Sequence, residues 1–516
     1  MDGTAEAGAA NAANWFVERH LDEGRGTKNA FREVGPGDAT LTYGELSDQA
    51  AHFAGALASH GVRQEERIVM LCHDTVAFPV IFWGALRAGV VPVPLNTLLA
   101  GAVYGEILQD CRPSALFVAA SLWEVVEPVL GQCPSLRHVV VVGGEAPQGT
   151  VSFDNFVAGA APGSMANVSS DDVAFWLYSS GSTGRPKGVR HVHGALRSTA
   201  DTYGAKVLQI TEADTVFSAA KLFFAYGLGN AMTFPMAVGA TTLLYAARPT
   251  PDAVSEILGT HRPTVYCGVP TLYAALLHYW DSVPAPEAPL RTCISAGEAL
   301  PEEVGRRWAA RWGCDIMDGV GSTEMLHIFL SNAPGDVVYG TSGTAVPGYN
   351  LRLVDETGAE VGANEVGELL VRGASAADGY WNQRAKSRAT FEGEWTRTGD
   401  KYERRADGRY VYCGRTDDMF KVSGIWVSPF EVEQALAAHP AVLESAVVAQ
   451  RDDDGLEKPK AFIVLKDNRF AETDSLREFV KDQIGKWKYP RWIEVVDDLP
   501  KTATGKIQRF KLRAPV

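Results

Sequence analysis

An α/β chain is expected, with a large N-terminal part of layered sheets and helices followed by a small α+β part. Three observations predict it. Short apolar runs alternate with amphipathic stretches of helical period through the N-terminal part. After about residue 415 the pattern becomes one of strand-like runs paired across a turn. The charge changes as well. Residues from Asp417 to Val516 hold 16 basic and 17 acidic side chains, so almost all of the net charge of −14 lies before them.

In chain order, Thr42 and Glu45 have the spacing of a capping box and open an amphipathic run to about residue 60. Residues 67–72 (RIVMLC) read as a buried strand, 75–89 as a helix and 90–95 (VVPVPL) as a strand. Residues 138–142 (HVVVV) and 173–177 are further short apolar strands. In the C-terminal part, residues 443–450 and 460–466 are strand-like, with Asp452-Asp453-Asp454-Gly455 as the turn between them. Residues 474–484 place Leu476, Phe479, Val480 and Ile484 on one helix face, and 492–496 read as a strand. This last unit, of about 100 residues, has the size of a domain. From Lys481 onward it is locally basic, as a surface that handles anionic ligands should be. The Ala/Gly-rich first 13 residues read as a loose end.

Composition limits the function. A chain of 516 residues is too long for one ordinary core. With 46% hydrophobic and 21% charged residues it reads as globular rather than disordered. Its acidity repels nucleic acid and anionic membranes, so neither is expected as a partner. The seven cysteines are scattered without a CxxC pair, which points to a reducing compartment and no disulfide framework. No signal peptide and no run of about 18 apolar residues is found, so a cytoplasmic protein is expected.

The strongest local signal is Tyr178-Ser179-Ser180-Gly181-Ser182-Thr183-Gly184-Arg185-Pro186-Lys187-Gly188, directly after an apolar strand. Glycines let backbone N–H groups close around an anion, while hydroxyls and a lysine add donors. It is not a Walker A loop. Counted from Gly181, the sixth position is Pro186 and the residue after Lys187 is Gly188.

Further motifs follow in order: SAGEAL at 295–300, DGVGSTE at 318–324, WTRTGD at 395–400, YCGRTDD at 412–418 and PKTATGK at 500–506. Together with the loop, this ordered set resembles the adenylate-forming superfamily of acyl- and aryl-CoA ligases, peptide-synthetase adenylation domains and luciferases. The resemblance covers nearly the whole chain. It implies a two-step reaction using ATP, Mg2+ and CoA. A carboxylate attacks the α-phosphate of ATP to give an acyl-adenylate and pyrophosphate; a thiol then takes the acyl group and AMP leaves. It also implies a division into residues 1–416, carrying the ATP and acid sites, and a mobile small domain 417–516 hinged at Asp417.

Site residues follow from the same resemblance. Ser179, Ser180, Gly181, Ser182, Thr183, Gly184 and Lys187 would surround the phosphates, with Thr183 among the catalytic groups. Gly297, Glu298 and Ala299 would form the backbone wall of the adenine pocket, with Asp318 near the adenine amino group. Gly319, Val320 and Ser322 would belong to the same nucleotide site. Thr323 would meet the α-phosphate and Glu324 would hold magnesium, a hard cation that suits a carboxylate shared with phosphate. Asp400 would accept from both ribose hydroxyls, and Tyr412 and Arg415 would complete the nucleotide contacts. Lys506 would bridge the carboxylate and the α-phosphate during adenylate formation, and regulatory acetylation there would remove its charge. Ser423 and Gly424 would line the pantetheine tunnel to the thiol.

For the acid, the segment KLFFAYGLGN at 221–230 and Met325-Leu326-His327-Ile328-Phe329 resemble the benzoate–CoA ligase subgroup. Phe224, Ala225, Tyr226, Gly227, His327 and Ile328 would form a short, flat pocket for an aromatic carboxylate. No acidic residue stands in KLFFAYGLGN to meet an amino-acid ammonium. His327 has two readings, a contact to a ring hydroxyl or a satisfied core histidine. Benzoate, its hydroxy, amino or halo derivatives and a short cycloalkane carboxylate all remain open, as does a monomer against a homodimer. A luciferase-like adenylate oxidase and a loader of carrier proteins are the alternative activities. A non-catalytic nucleotide sensor would be expected to lack Lys506 or Glu324, and both are present.

Overall fold

The computed structural model describes residues 8–180, 186–416, 418–422, 425–452, 456–466, 471–485, 488–501 and 507–513. The chain forms two compact units, Met1–Asn350 with Val371–Thr396, and Leu351–Leu370 with Arg397–Val516. It is a mixed α/β protein, with a large N-terminal unit and a smaller C-terminal one. Residues 351–370 and 397–416 group with the C-terminal chain; the expected hinge, Asp417, lies outside the described residues.

In the large unit, helix Tyr43–Ser59 begins on the capping box. Thr42 Oγ1 accepts from Glu45 N–H at 3.2 Å, and the Glu45 carboxylate accepts from Thr42 N–H at 2.8 Å. The helix buries Leu46, Phe53 and Leu57. Helix Ala77–Arg87 is apolar nearly all round and buried along most of its length, as a helix enclosed by protein should be. The two approach closely at Gly84, where a Cβ would lie 2.8 Å from both Ala50 O and a Phe53 ring carbon. Near them runs an all-parallel sheet in the order Val91–Pro94, Arg67–Leu71, Ala115–Ala119, His138–Val142, Val151–Ser152. The near-continuous apolar runs of its inner strands fit a sheet covered on both faces.

A nine-stranded sheet forms the other wall. Its inner strands, Ile316–Gly321, Thr292–Ala296, Val265–Gly268, Thr215–Ser218, Thr241–Leu244 and Asn29–Glu33, are parallel, and its edges are antiparallel. Tyr266, Tyr273, Trp280 and Trp308 pack a core on it. A third sheet joins Val173–Ser180, Pro186–Val192 and Gly379–Tyr380.

The C-terminal unit holds a ribbon in which residues 400–404 pair antiparallel with Tyr410–Arg415, and a sheet of Val442–Arg451, Glu457–Leu465 and Trp492–Val495. Asp452 N–H donates to Leu456 O at 2.9 Å where the hairpin turns. Helices Pro429–Ala437 and Thr473–Ile484 supply Val432, Leu436, Leu476 and Val480 to a core with Val447 and Ile463. Half-buried Phe479 meets His439 edge-on at 5.0 Å. All seven cysteines are free thiols. Among the described residues no helix is long and apolar enough to cross a membrane.

Candidate active site

The segment expected to bind phosphate joins two paired strands. Ser179 lies opposite Lys187 and Ser180 opposite Pro186, so the chain leaves and re-enters the sheet at adjacent positions. Gly181, Ser182, Thr183 and Gly184 lie outside the described residues. The strand is tied down beneath the loop, where Tyr178 Oη donates to Asp110 at 2.5 Å. Lys187 reaches from the returning strand to Glu324, with Nζ 3.3 Å from Oε1. Tyr380 completes the group. Its hydroxyl donates to the same Oε1 at 2.7 Å, and Lys187 Nζ stands 4.7 Å from its ring centroid.

Glu324 sits in the connection between Ile316–Gly321 and Ile328–Ser331, which pair antiparallel. Left-handed Leu326 (φ +65°), whose N–H donates to Thr323 O at 3.1 Å, turns the chain there. Ser322 Oγ accepts from Met325 N–H, and Ala377 N–H donates to Glu324 O at 2.8 Å. Burial raises the Glu324 pKa, but Lys187 and the Tyr380 hydroxyl outweigh it, so the carboxyl lies below its ordinary value and is ionised at neutral pH. Among the described residues no three His, Cys, Asp or Glu side chains gather into a metal cage. A single half-buried, ionised carboxylate fits Mg2+, which keeps waters and shares substrate phosphates rather than needing an all-protein cage.

Strand Thr292–Ala296 ends at exposed Gly297, whose φ of +97° favours glycine. Half-buried Glu298 and Ala299 follow. The next strand places Asp318 beside Ser295 and Gly319 beside Ala296 in parallel register, with Val320 following. This gathers the two motifs at the carboxyl ends of neighbouring parallel strands, where open α/β sheets bind ligands. Asp318 is buried, its Oδ1 has no partner among the described residues, and burial pushes its carboxyl well above the ordinary range.

The two segments expected to hold the acid come together. Helix Ala225–Leu228 begins after Phe224 and continues into Gly229–Thr233. Tyr226 Oη points to Gly268 O and Ile294 O, both at 3.1 Å, which anchors the helix to the large sheet. His327 is 3% exposed, and its Nε2 is 3.3 Å from Tyr226 O. A carbonyl can only accept, so Nε2 carries the proton; Nδ1, without a partner among the described residues, is then an acceptor. Burial lowers the His327 pKa to about 3, so the ring is neutral. Rings of Tyr203, Tyr226 and Phe234 surround it, with centroids 5.2, 5.8 and 4.5 Å away. Gly229 allows this packing, since a Cβ there would lie 2.3 Å from His327 Cδ2. Ile328 is buried against Gly319, while Ala225 and Phe224 are half-buried and Gly227 is buried.

One anchor of this segment gave no sequence signal. Leu222 N–H donates to buried Asp74 at 3.2 and 3.3 Å, which holds the start of the segment expected to bind the acid from 148 residues away. Tyr380 was likewise absent from the sequence reading, since no spacing marks it and its place depends on pairing with Val189.

In the C-terminal unit, Asp400 faces Arg415 across the ribbon, with Nη1 2.8 Å from Oδ1. The Arg415 guanidinium also donates to Thr398 O at 3.1 Å, and it lies against Gly399, whose φ is +70° and where a Cβ would stand 2.8 Å from Nη2. Tyr412 packs edge-on to Tyr402 and Phe430. Lys506, Ser423 and Gly424 lie outside the described residues.

Residues 18–381 match the AMP-binding enzyme family and 431–506 its C-terminal domain, and the chain belongs to this family. Among its relatives, it is 54% identical over 515 residues to the 4-hydroxybenzoate–CoA/benzoate–CoA ligase of Rhodopseudomonas palustris, covering 98% of this chain and 94% of that one. It is 53% identical over 511 residues to the benzoate–CoA ligase of Thauera aromatica, covering 98% and 96%. The crystal structure of a benzoate CoA ligase from Burkholderia xenovorans LB400 superposes with a TM-score of 0.89 at 50% identity, covering 98% of this chain and all of that one.

Proposed function

We propose that this chain is an ATP-dependent, AMP-forming aryl-acid–CoA ligase that activates benzoate or a ring-substituted benzoate. The observation that carries the substrate class is the meeting of helix Ala225–Leu228 with His327. It gathers aromatic rings around a neutral imidazole, a lining suited to a planar ring. Full-length relatives that share half of the sequence and are named for benzoate support the same reading.

In the first step the acid's carboxylate attacks the α-phosphate, and anions must be held together. Lys187, Thr323, Thr183 and the backbone of the loop around 181–184 bind the phosphates, and Lys506 bridges carboxylate and α-phosphate. Glu324 would hold Mg2+, which would supply neutralisation of phosphate charge. Asp318 and the 297–299 wall take the adenine, and Asp400, Tyr412 and Arg415 take the ribose side. In the second step the CoA thiol, entering past Ser423 and Gly424, attacks the acyl carbon and AMP leaves. The change of step is a rotation of residues 417–516 about Asp417. Acetylation of Lys506 would switch off the first step. A cytoplasmic enzyme, monomeric or homodimeric, is the setting we propose.

A panel of benzoates, cycloalkane carboxylates and amino acids, assayed for AMP release with and without CoA, tests this. CoA-dependent AMP release with benzoates and none with amino acids is expected. CoA-independent oxidation of the adenylate, or preference for a carrier protein over CoA, would overturn it.

A further inference from the structure

We propose that Tyr380 is the positioning residue of the phosphate end of this site, holding the Glu324 carboxylate by its hydroxyl and the Lys187 ammonium by its ring face. The inference rests on the reading of Glu324 as the Mg2+ ligand and Lys187 as a phosphate contact. Tyr380 is only 5% exposed and is fixed from several sides. Its backbone pairs with Val189, two residues from Lys187, and its N–H donates to Ser387 Oγ at 3.0 Å. Its ring packs with Val189, Ala377 and Phe391, and Ala377 N–H in turn holds Glu324 O.

The chemistry of the two contacts explains why a tyrosine suits this place. A half-buried lysine and glutamate left to each other form an ion pair, here at 3.3 Å. Phosphate and cation binding requires the pair to be exchanged, with the ammonium turning to phosphate and the carboxylate to the metal. Tyr380 can stay in contact with both throughout. Its hydroxyl anchors Oε1, so Oε2 can turn to a cation. A cation–π contact needs no acceptor lone pair and turns only part of the ammonium toward the ring, so the N–H donors on its other side can serve phosphate. A second carboxylate here would compete for Lys187, and an aliphatic side chain would hold neither group.

Tyr380→Phe and Tyr380→Leu in the full chain separate the two contacts. The readouts are the Mg2+ midpoint for equilibrium ATP binding without acid, AMP binding in EDTA, and Tm. Tyr380→Phe should raise the Mg2+ midpoint about 10-fold, the scale of losing a partner that orients a metal ligand. AMP binding in EDTA should be unchanged. Tyr380→Leu should in addition weaken metal-free ATP binding several-fold, which Tyr380→Phe should not. An unchanged Mg2+ midpoint in Tyr380→Phe overturns the proposal, as does a parallel loss of AMP binding and Tm, which marks a purely structural tyrosine. Glu324→Gln separates the premises. If it shifts the midpoint and Tyr380→Phe does not, only the role of Tyr380 fails; if neither shifts it, the reading of Glu324 fails as well.

Discussion

At the scale of single residues, two positions carry predictions of different kinds. In the role proposed for it, Lys506 is a compact charge needed only where carboxylate meets α-phosphate. Lys506→Ala should nearly abolish pyrophosphate release from acid and ATP, yet largely spare thioester formation from supplied benzoyl-adenylate. Equal loss in both half-reactions would remove its separate role. Gly229 acts through shape alone. Because its Cβ would meet the His327 ring, Gly229→Ala should lower kcat/KM for benzoate about 10-fold, the effect expected for one methyl group in a tight apolar pocket. In a His327→Ala background the same change should cost less, because the nearest group it meets is gone and Phe234 Cζ, 2.9 Å from that Cβ, is left to give way. The double-mutant cycle on kcat/KM, with Tm alongside, checks this; additive losses would show that Gly229 does not act through His327. With a pKa of about 3, His327 contributes no limb to the pH profile between about 5 and 9, and its removal should change the acid profile without moving that curve.

Elements carry the next level. The capping box at Thr42 and Glu45 closes the first turn of helix Tyr43–Ser59 with reciprocal bonds. Thr42→Ala should cost about 1 kcal/mol locally. Amide exchange at Glu45 and Leu46 should then speed about fivefold, if the turn frays on its own; unchanged exchange would show that tertiary packing alone holds it. Asp417 tests a different element, the connection proposed as the hinge. Proline restricts φ there, so Asp417→Pro should leave adenylate formation near the wild-type rate and depress thioester formation. Turnover at the wild-type rate would rule out Asp417 as the pivot.

For the whole molecule, buried titratable groups set the response to pH. His20 and His193 are lowered to about 4, and His191 and His327 to about 3, in each case chiefly by burial. Unfolding lets these imidazoles regain an ordinary value of about 6.5, so the unfolded chain binds more protons below that pH. Stability should therefore fall as the solution is acidified from about 6.5 towards 4, steeply because four groups act together. Asp74 works in the opposite sense. Burial raises it to about 6, so its contribution is full below the ordinary carboxylate range and is lost as pH rises through 6. Asp74→Asn keeps an acceptor for Leu222 N–H and should raise Tm at pH 8 relative to the wild type, with the gain shrinking by pH 5. A gain that is the same at both pH values would mean that Asp74 does not titrate near 6.

Much of this was written locally. Thr42 and Glu45, the apolar runs at Arg67–Leu71 and His138–Val142, the helix face of Leu476 and Val480 and the loop from Tyr178 to Gly188 are patterns within a few residues of one another. Periodicity and turn chemistry act at that range, so the sequence itself determined these elements, the α/β class and the position of each motif. Only the tertiary structure decided that Tyr380 serves both Lys187 and Glu324, that Asp74 holds Leu222, that Gly229 makes room for His327 and that residues 351–370 join the C-terminal unit. Those pairings follow from strand register and from which side chains fill the same space, and these are settled by packing over the whole unit rather than by any local spacing.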